Sequence, residues 1–278
     1  GATDLGTGSD TVLAQIAAEA LGVRAEQIQV LSSDTDLTPF DVGAYASSTT
    51  YVSGTAVLKC ATAMVAELRG VAAAMLECPT GSLVHEGASF HDPASGRTVS
   101  YEEIAYSSLY ERDQTQLQTH ASHTSAVSPP PFIAQFAEVE VDPDTGEVKV
   151  LHFVSAVDCG RPLNPRLAEG QIEGAALNGI SWALAEEFLY NRAGRLTNST
   201  FGRYGIYTAA DAPRMTTMLV PSDEPTGPYG AKSVGEIGIN GPAPAIANAV
   251  YDAVGVRLRH LPMTPERVYR ALGRGSQR

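Results

Sequence analysis

Glu236 lies in the segment GPYGAKSVGEIGI, where its neighbours are glycines or small and apolar residues. A carboxylate between apolar residues tends to lose its water, and desolvation raises its affinity for a proton. Such a carboxylate is a suitable general base near neutral pH. On this local pattern alone, a Glu that is paired with Lys232 or with the start of a helix remains the alternative.

Three further segments combine glycines or small hydroxyl residues with a predicted helix. DLGTGSDT precedes a helix and can present backbone amides to an anion, while its two glycines allow close approach. The loop PFDVGAYASSTTYVSG offers several short hydroxyl donors. In AEGQIEGA, Gln171 stands between two glycines that leave room beside its amide. Each segment also fits an ordinary turn, a helix entry or close helix packing.

The motifs of several other enzyme classes are absent from the sequence. There is no HExxH, no GxSxG, no GxGxxG and no complete P-loop. His120 and His123 stand three residues apart without further ligands nearby, which indicates a solvated pair rather than a metal site. Cys60, Cys78 and Cys159 have neither CxxC nor iron–sulfur spacing, so we expect buried free thiols.

The composition is that of a globular protein, with 44% hydrophobic and 18% charged residues among 278. The 19 basic and 31 acidic residues give a net charge of −12, which argues against nucleic acid or an anionic membrane as the main partner. No apolar run approaches the roughly 20 residues that span a bilayer. The chain opens at Gly1 without Met, so we expect a processed chain or a piece of a longer one.

Apolar residues recur at helical spacing in five segments. The first, TVLAQIAAEALG, is expected to be capped by Ser9 or Asp10 and to end at Gly22. The second runs from about residue 55 to residue 75. RLAEGQIEGAALNGISWALAEE and APAIANAVYDAVG follow, and PERVYRALG has Thr264 as its expected cap. Two glycines inside the third helix, Gly174 and Gly179, suggest a close approach to its backbone.

Alternating patterns predict strands between these helices. A short strand is expected around Ile28, Val30 and Leu31, and a hairpin in GASFHDPASGRTVSY. A longer hairpin pairs FIAQFAEVEV with VKVLHFVSAVD across DPDTGE. Because helices and hairpins mix without regular βαβ alternation, the sequence favours the α+β class. The polar stretch 107–128, followed by three prolines, predicts a boundary between residues 1–128 and 129–278.

The order of these segments is more specific than any one of them. DLGTGSDT, AYASSTT, VDCGRPLNP, GQIEGAALNGISWAL and GAKSVGEIGI resemble, in this order, the second molybdenum-binding domain of the xanthine dehydrogenase and aldehyde oxidase family. The resemblance extends from Asp4 to about Leu272. It implies the α+β fold of mixed helices and β-hairpins found in a molybdenum hydroxylase, with cofactor-binding loops in residues 1–128 and the catalytic residue in 129–278.

The resemblance also implies roles for individual residues. Glu236 corresponds to the family's base, which removes a proton from a hydroxyl on molybdenum before a hydride passes to the metal's sulfide. A pyranopterin dithiolene holds the metal, so no protein ligand is expected, although Ala46 and Gln171 would lie near it. Thr7 stands where the family commonly has Gln, and its shorter hydroxyl cannot make the same contact. The residues expected around the cofactor are Gly6, Thr7, Gly8, Ala46, Ser47, Ser48, Thr49, Gln171, Lys232 and Ser233.

The same resemblance implies partners. An N-terminal molybdenum-binding domain of the same subunit would supply the other walls of the pocket, while 2Fe-2S clusters and FAD would be carried by an iron–sulfur and a flavin subunit or domain. The likeness is to three-subunit bacterial aldehyde oxidoreductases, whose cofactor usually is molybdopterin cytosine dinucleotide. The expected substrate is a small aldehyde or aromatic N-heterocycle.

Two non-enzymatic alternatives remain open from the sequence. One is a stand-alone cofactor-binding or assembly module without catalysis, and the other is a phosphate-ligand protein that uses only DLGTGSDT. We expect this chain by itself to bind cofactor weakly or not at all. The cytoplasm is the expected compartment, with export on a partner subunit's leader as the alternative.

Overall fold

The computed structural model describes residues 1–111, 114 and 116–273. Within these residues, helices mix with one antiparallel and one mixed sheet, as expected for the α+β class. None of the described helices is both long and apolar enough to cross a bilayer. The polar stretch 107–128 includes residues 112, 113 and 115, which lie outside the described part of the chain.

The chain divides into two compact units. The first consists of Gly1–Pro129 and Glu224–Ala231, and the second of Pro130–Asp223 and Lys232–Arg278. The segment Glu224–Ala231 thus belongs with the N-terminal half of the chain. A single boundary along the sequence cannot describe this division. The subdomain division proposed above, at residue 129, stays a prediction.

The first unit contains three helices: α1 (Ser9–Leu21), α2 (Gly54–Leu76) and α3 (Tyr101–Tyr110). Gly22 ends α1 as predicted, with a left-handed backbone and its amide bonded to the carbonyls of Ala18 and Glu19. The predicted cap at the start of α1 is wrong, because the capping position is Gly8 and no side chain there accepts a hydrogen bond. The carboxylate of Asp4 serves the helix start instead.

A small antiparallel sheet completes the first unit. It consists of β1 (Val84–Glu86), β2 (Ser89–His91) and β3 (Thr98–Ser100), and the last two form the predicted hairpin. Buried apolar side chains on this sheet, α2 and α3 form one core, which contains Leu68, Ala72, Leu76, Phe90, Val99 and Ile104. The pairing of sheet and helices lets this short sheet bury one face.

The strand predicted around Ile28, Val30 and Leu31 does not form. A single 3-10 turn, Ala25–Gln27, precedes an extended stretch in which Val30 and Leu31 are exposed. A strand requires a neighbour that satisfies its backbone, and no described segment pairs with these residues. Three apolar residues were too little to identify a strand.

The second unit is built on a longer mixed sheet. The strands β4 (Phe132–Val141) and β5 (Val148–Asp158) form the predicted antiparallel hairpin, and β6 (Arg214–Leu219) adds to β5 in parallel. The hairpin turn requires Gly146, because its φ is 79° and an added Cβ would lie 2.1 Å from a carbonyl oxygen. This register brings Gln135 opposite Ser155.

The described part of this unit also has four helices: α4 (Pro165–Leu184), α5 (Phe201–Tyr204), α6 (Pro242–Val254) and α7 (Pro265–Ala271). Asn164 caps α4 and Thr264 caps α7, the latter as predicted. Apolar side chains from the sheet and the helices form the main core of this unit, which includes Phe153, Ile180, Ile246, Val250, Met263 and Val268. The core holds α4 and the start of α6 in fixed positions.

Candidate functional site

A cavity of about 340 Å³ lies in the second unit, between α4 and the segment that follows Lys232. Its volume is in the range of small-molecule sites. The residues that line it are Gly170, Gln171, Gly174, Ala175, Asn178, Gly235, Glu236 and Ile239. The fold therefore brings together Gln171 and Glu236, two residues that the sequence indicated separately.

One face of α4 forms a wall of this cavity. Gln171, Gly174 and Asn178 are three and four residues apart, so they follow each other along one face of the helix. An added Cβ at Gly170 or at Gly174 would meet no atom within 4 Å. These glycines keep free a space beside the Gln171 amide that larger side chains would fill.

Gly179 on the same helix has a different role. An added Cβ there would lie 2.6 Å from Cγ of Pro242 and 3.1 Å from the carbonyl oxygen of Ile239. The close backbone approach predicted for the two helix glycines is therefore confirmed at Gly179, where the start of α6 packs. At Gly174 no protein atom makes such an approach.

Glu236 directly precedes a 3-10 turn, Ile237–Ile239, and its carbonyl accepts a hydrogen bond from the Ile239 amide at 3.2 Å. The expectation that apolar flanks would bury this carboxylate is wrong, because Glu236 is exposed in this unit. Val234 and Ile237 pack into a small core with Ile172, below the segment. The apolar neighbours therefore leave Glu236 exposed, as part of the cavity lining.

Lys232 anchors the start of the same segment. Its buried ammonium lies 2.7 Å from Oδ2 of Asp158 and donates at 3.2 Å to the carbonyl of Pro130. Burial acts to raise the pKa of Asp158, but hydrogen bonds from Lys232, Ser222 and the Gly160 amide outweigh it and hold that pKa below its usual value. The geometry gives Lys232 a structural ion pair, and a contact of Lys232 or Ser233 with cofactor stays a prediction.

The loop DLGTGS in the first unit already binds a carboxylate of its own. Oδ1 of Asp4 accepts from the amides of Gly6 at 2.8 Å and Gly8 at 3.2 Å, and Oδ2 accepts from that of Asp10 at 3.3 Å. Thr7 turns its hydroxyl towards the same carboxylate at 3.5 Å. An external phosphate would compete with Asp4 for these amides. The predicted contacts of Gly6, Thr7 and Gly8 with the cofactor remain predictions.

The second loop of the first unit has an unusual backbone. Ala46 and Ser47 both have a left-handed conformation, with φ of 50° and 55°. Two consecutive residues other than glycine in this region cost about 1–3 kcal/mol each, and such strain occurs at ligand sites. Ser48 bonds the Gly43 carbonyl through its hydroxyl, and Thr49 begins a π-helical turn that leads into α2.

The remaining candidates have ordinary environments. Cys159 is buried, and burial together with Asp158 raises the pKa of its thiol, while Cys60 and Cys78 are half-buried free thiols. His120 is exposed, whereas His123 is half-buried with Nδ1 2.9 Å from Nζ of Lys59, so only His120 is solvated as predicted. No three His, Cys, Asp or Glu residues of the described chain are placed to hold a metal ion.

The sequence analysis did not identify two residues of the site. Asn178 lines the cavity two helical turns after Gln171, and this spacing was a signal that could have identified it. Gln135 contacts the segment after Glu236 from β4, and no spacing in the sequence indicates that contact.

Comparison with known proteins places these features in a family context. The model of the molybdopterin cofactor-binding domain family matches residues 1–213. The probable hypoxanthine oxidase XdhD of Escherichia coli (strain K12) is 40% identical over 273 residues, which are 98% of this chain and 28% of that protein. The gamma subunit of the 6-hydroxypseudooxynicotine dehydrogenase complex of Paenarthrobacter nicotinovorans is 36% identical, over 97% of this chain and 35% of its own length.

The fold is also similar to a solved structure. Quinoline 2-oxidoreductase from Pseudomonas putida 86 aligns with a TM-score of 0.90 and 27% identity, over 98% of this chain and 36% of that one. The chain thus spans between 28% and 36% of the length of these three proteins. The larger part of each of these proteins therefore has no counterpart in these 278 residues.

Proposed function

This chain belongs to the molybdopterin cofactor-binding domain family, and from that premise we propose that it is the C-terminal part of a molybdenum hydroxylase subunit. In this proposal Glu236 is the general base for hydroxylation of an aldehyde or an aromatic N-heterocycle with oxygen from water. The observation that carries the proposal is that Glu236 and Gln171 line the same cavity. Neither residue is near the other in the sequence.

The cavity residues fit such a cofactor. Gly170 and Gly174 leave a cradle that a Cβ at either position would begin to fill, and Gln171 and Asn178 each offer an amide donor and acceptor. In the first unit, the strained backbone at Ala46 and Ser47 supports the proposal that this loop also contacts the cofactor. We also propose that the cofactor is molybdopterin cytosine dinucleotide.

When bound, the molybdenum cofactor supplies the two-electron oxidation of the substrate carbon. Glu236 accepts a proton at one carboxylate oxygen from the water-derived nucleophile, and releases it after the oxidation. Gln171 would help to hold the cofactor through its side-chain carboxamide. The Lys232–Asp158 ion pair and the packing of Val234 and Ile237 keep the segment that carries Glu236 in place.

The base assignment is tested by Glu236→Gln in the complete enzyme. General-base catalysis contributes roughly 10²–10⁴ in rate, so we expect kcat to fall by that factor while molybdenum content is unchanged. Glu140→Gln is the matched control, since Glu140 is an exposed carboxylate on β4 that does not line the cavity. Turnover within about tenfold of wild type in Glu236→Gln would refute the role. A wild-type protein that binds molybdenum but turns over no substrate would favour a non-catalytic module.

The proposal also includes partners, because the chain matches only about a third of each relative. One relative is named as a subunit of a dehydrogenase complex. We propose that an N-terminal molybdenum-binding domain closes the cavity and that iron–sulfur and flavin subunits remove electrons. The purified 278-residue chain should therefore contain far less than one molybdenum per polypeptide, as measured by plasma mass spectrometry. Near-stoichiometric metal would contradict this expectation.

A further inference from the structure

Gln135 links the sheet of the second unit to the segment that carries Glu236. Its side chain projects from β4 and is half-buried. Nε2 donates at 2.9 Å to the carbonyl of Gly238 and at 3.0 Å to Oγ of Ser155 on β5. Gly238 is only two residues beyond Glu236. One amide group thus joins two strands and the turn next to the candidate base.

The orientation of this amide is fixed by its partners. A backbone carbonyl can only accept, so the nitrogen of the Gln135 side chain must face Gly238. Oε1 is buried and has no hydrogen-bond partner among the described residues. A buried acceptor without a partner costs about 1–3 kcal/mol, a cost that an apolar side chain would avoid. The unpartnered oxygen therefore offsets part of the stability that the two bonds donated by Nε2 provide.

On its other side, the turn packs closely against α4. An added Cβ at Gly238 would lie 2.8 Å from Cβ of Ala175 and 3.0 Å from the carbonyl oxygen of Ile172, so the glycine sits directly against α4. At Gly241 an added Cβ would lie 2.2 Å from Oε1 of Gln135. The turn is therefore held between α4 and Gln135, and both glycines are needed for that fit.

We propose that Gln135 is a positioning residue for Glu236, which it acts on through the carbonyl of Gly238. The inference rests on the proposed function, since it concerns the base of that reaction. The turn at Ile237–Ile239 begins at Glu236, so a displacement of Gly238 moves the backbone from which the carboxylate projects. Misplacement of a catalytic group by about 1 Å can reduce the rate about 10²-fold.

Two variants separate this role from a purely structural one. Gln135→Met keeps the length of the side chain and removes the donor, whereas Ser155→Ala removes the other hydrogen bond and leaves the one to Gly238. In the complete holoenzyme we expect Gln135→Met to lower kcat about tenfold to a hundredfold. KM and molybdenum content should stay within about twofold. Ser155→Ala should keep kcat within about twofold of wild type.

A third variant provides a rescue. In Gln135→Glu a protonated carboxyl group can donate to the Gly238 carbonyl, whereas the ionised form repels it. The ratio of variant to wild-type kcat should therefore rise as pH falls and the new carboxyl group is protonated. A merely structural effect on packing would leave this ratio flat across the same pH range.

Hydrogen exchange of the amides of residues 237–240 gives a readout that does not depend on turnover. We expect faster exchange there in Gln135→Met and wild-type exchange in Ser155→Ala. Unchanged kcat and unchanged exchange in Gln135→Met would overturn the inference while the function tested by Glu236→Gln stands. If Glu236→Gln itself retains turnover, the base assignment fails, and the exchange of these amides alone decides whether Gln135 positions the segment.

Discussion

Replacing Gly174 with Leu tests whether the cavity holds a ligand. Gly174 is exposed on α4, lines the cavity and has no atom within 4 Å of an added Cβ. An isobutyl group at this position therefore starts from a Cβ that meets no protein atom, and it should take space from the cavity. The variant should fold normally and fail to bind whatever occupies the cavity.

The substitution should stabilise the fold and weaken binding in the cavity. Leu is a better helix former than Gly by about 1 kcal/mol, which corresponds to a rise in Tm of about 2–4 °C for a domain of roughly 150–250 residues. Forcing extra methylenes against a fitted group costs about 1–3 kcal/mol. Since about 1.4 kcal/mol is a factor of ten, affinity for the occupant should fall about fivefold to more than a hundredfold.

The assay compares Gly174→Leu with Gly70→Leu in the complete enzyme. Gly70 is an exposed glycine on α2 whose added Cβ also meets no atom within 4 Å, and it does not line the cavity. Both variants should gain in Tm, but only Gly174→Leu should lose molybdenum per polypeptide or kcat/KM. If Gly174→Leu keeps wild-type metal content and kcat/KM, the cavity binds neither cofactor nor substrate and the assignment is wrong.

Three further outcomes follow from the packing and the charges. Gly179→Ala should destabilise the fold by about 1–3 kcal/mol in urea denaturation, because its Cβ would overlap Pro242; a stabilised variant would contradict that contact. The pKa of Asp158 is lowered in the folded state, so its ionised form stabilises the fold above its ordinary pKa of 3.8, and that contribution is lost as pH falls below about 4. Asp158→Asn should therefore be less stable than wild type at pH 6, and the difference should disappear in acid. A difference that stays constant with pH would exclude the linkage. Asp4→Ala should cost about 0.5–2 kcal/mol, as for loss of a helix cap, and an unchanged urea midpoint would show that the amides find other partners.

The elements with strong local patterns were predictable. The helices α1, α2, α4, α6 and α7 and both predicted hairpins follow from apolar spacing and turn residues, and their bounds agree with the predictions within a few residues. The weak pattern at Ile28 failed, because three apolar residues do not specify a paired strand. The predicted cap of α1 was wrong for a different reason. Asp4 reaches the helix start from outside the usual capping position, through a glycine-rich turn.

The sequence by itself determined the fold class, the family and the identity of the candidate base, because these depend on local patterns and on the order of short segments. Only the tertiary structure decided how these residues are used. It exposed Glu236, which apolar flanks had suggested was buried, paired the buried Lys232 with Asp158, and joined Gln135 to Gly238. Spacing in a sequence reports neighbours a few residues apart on one helix or strand. Partners a hundred residues apart meet only when the sheet register and helix packing place them together, so no local pattern could have named them.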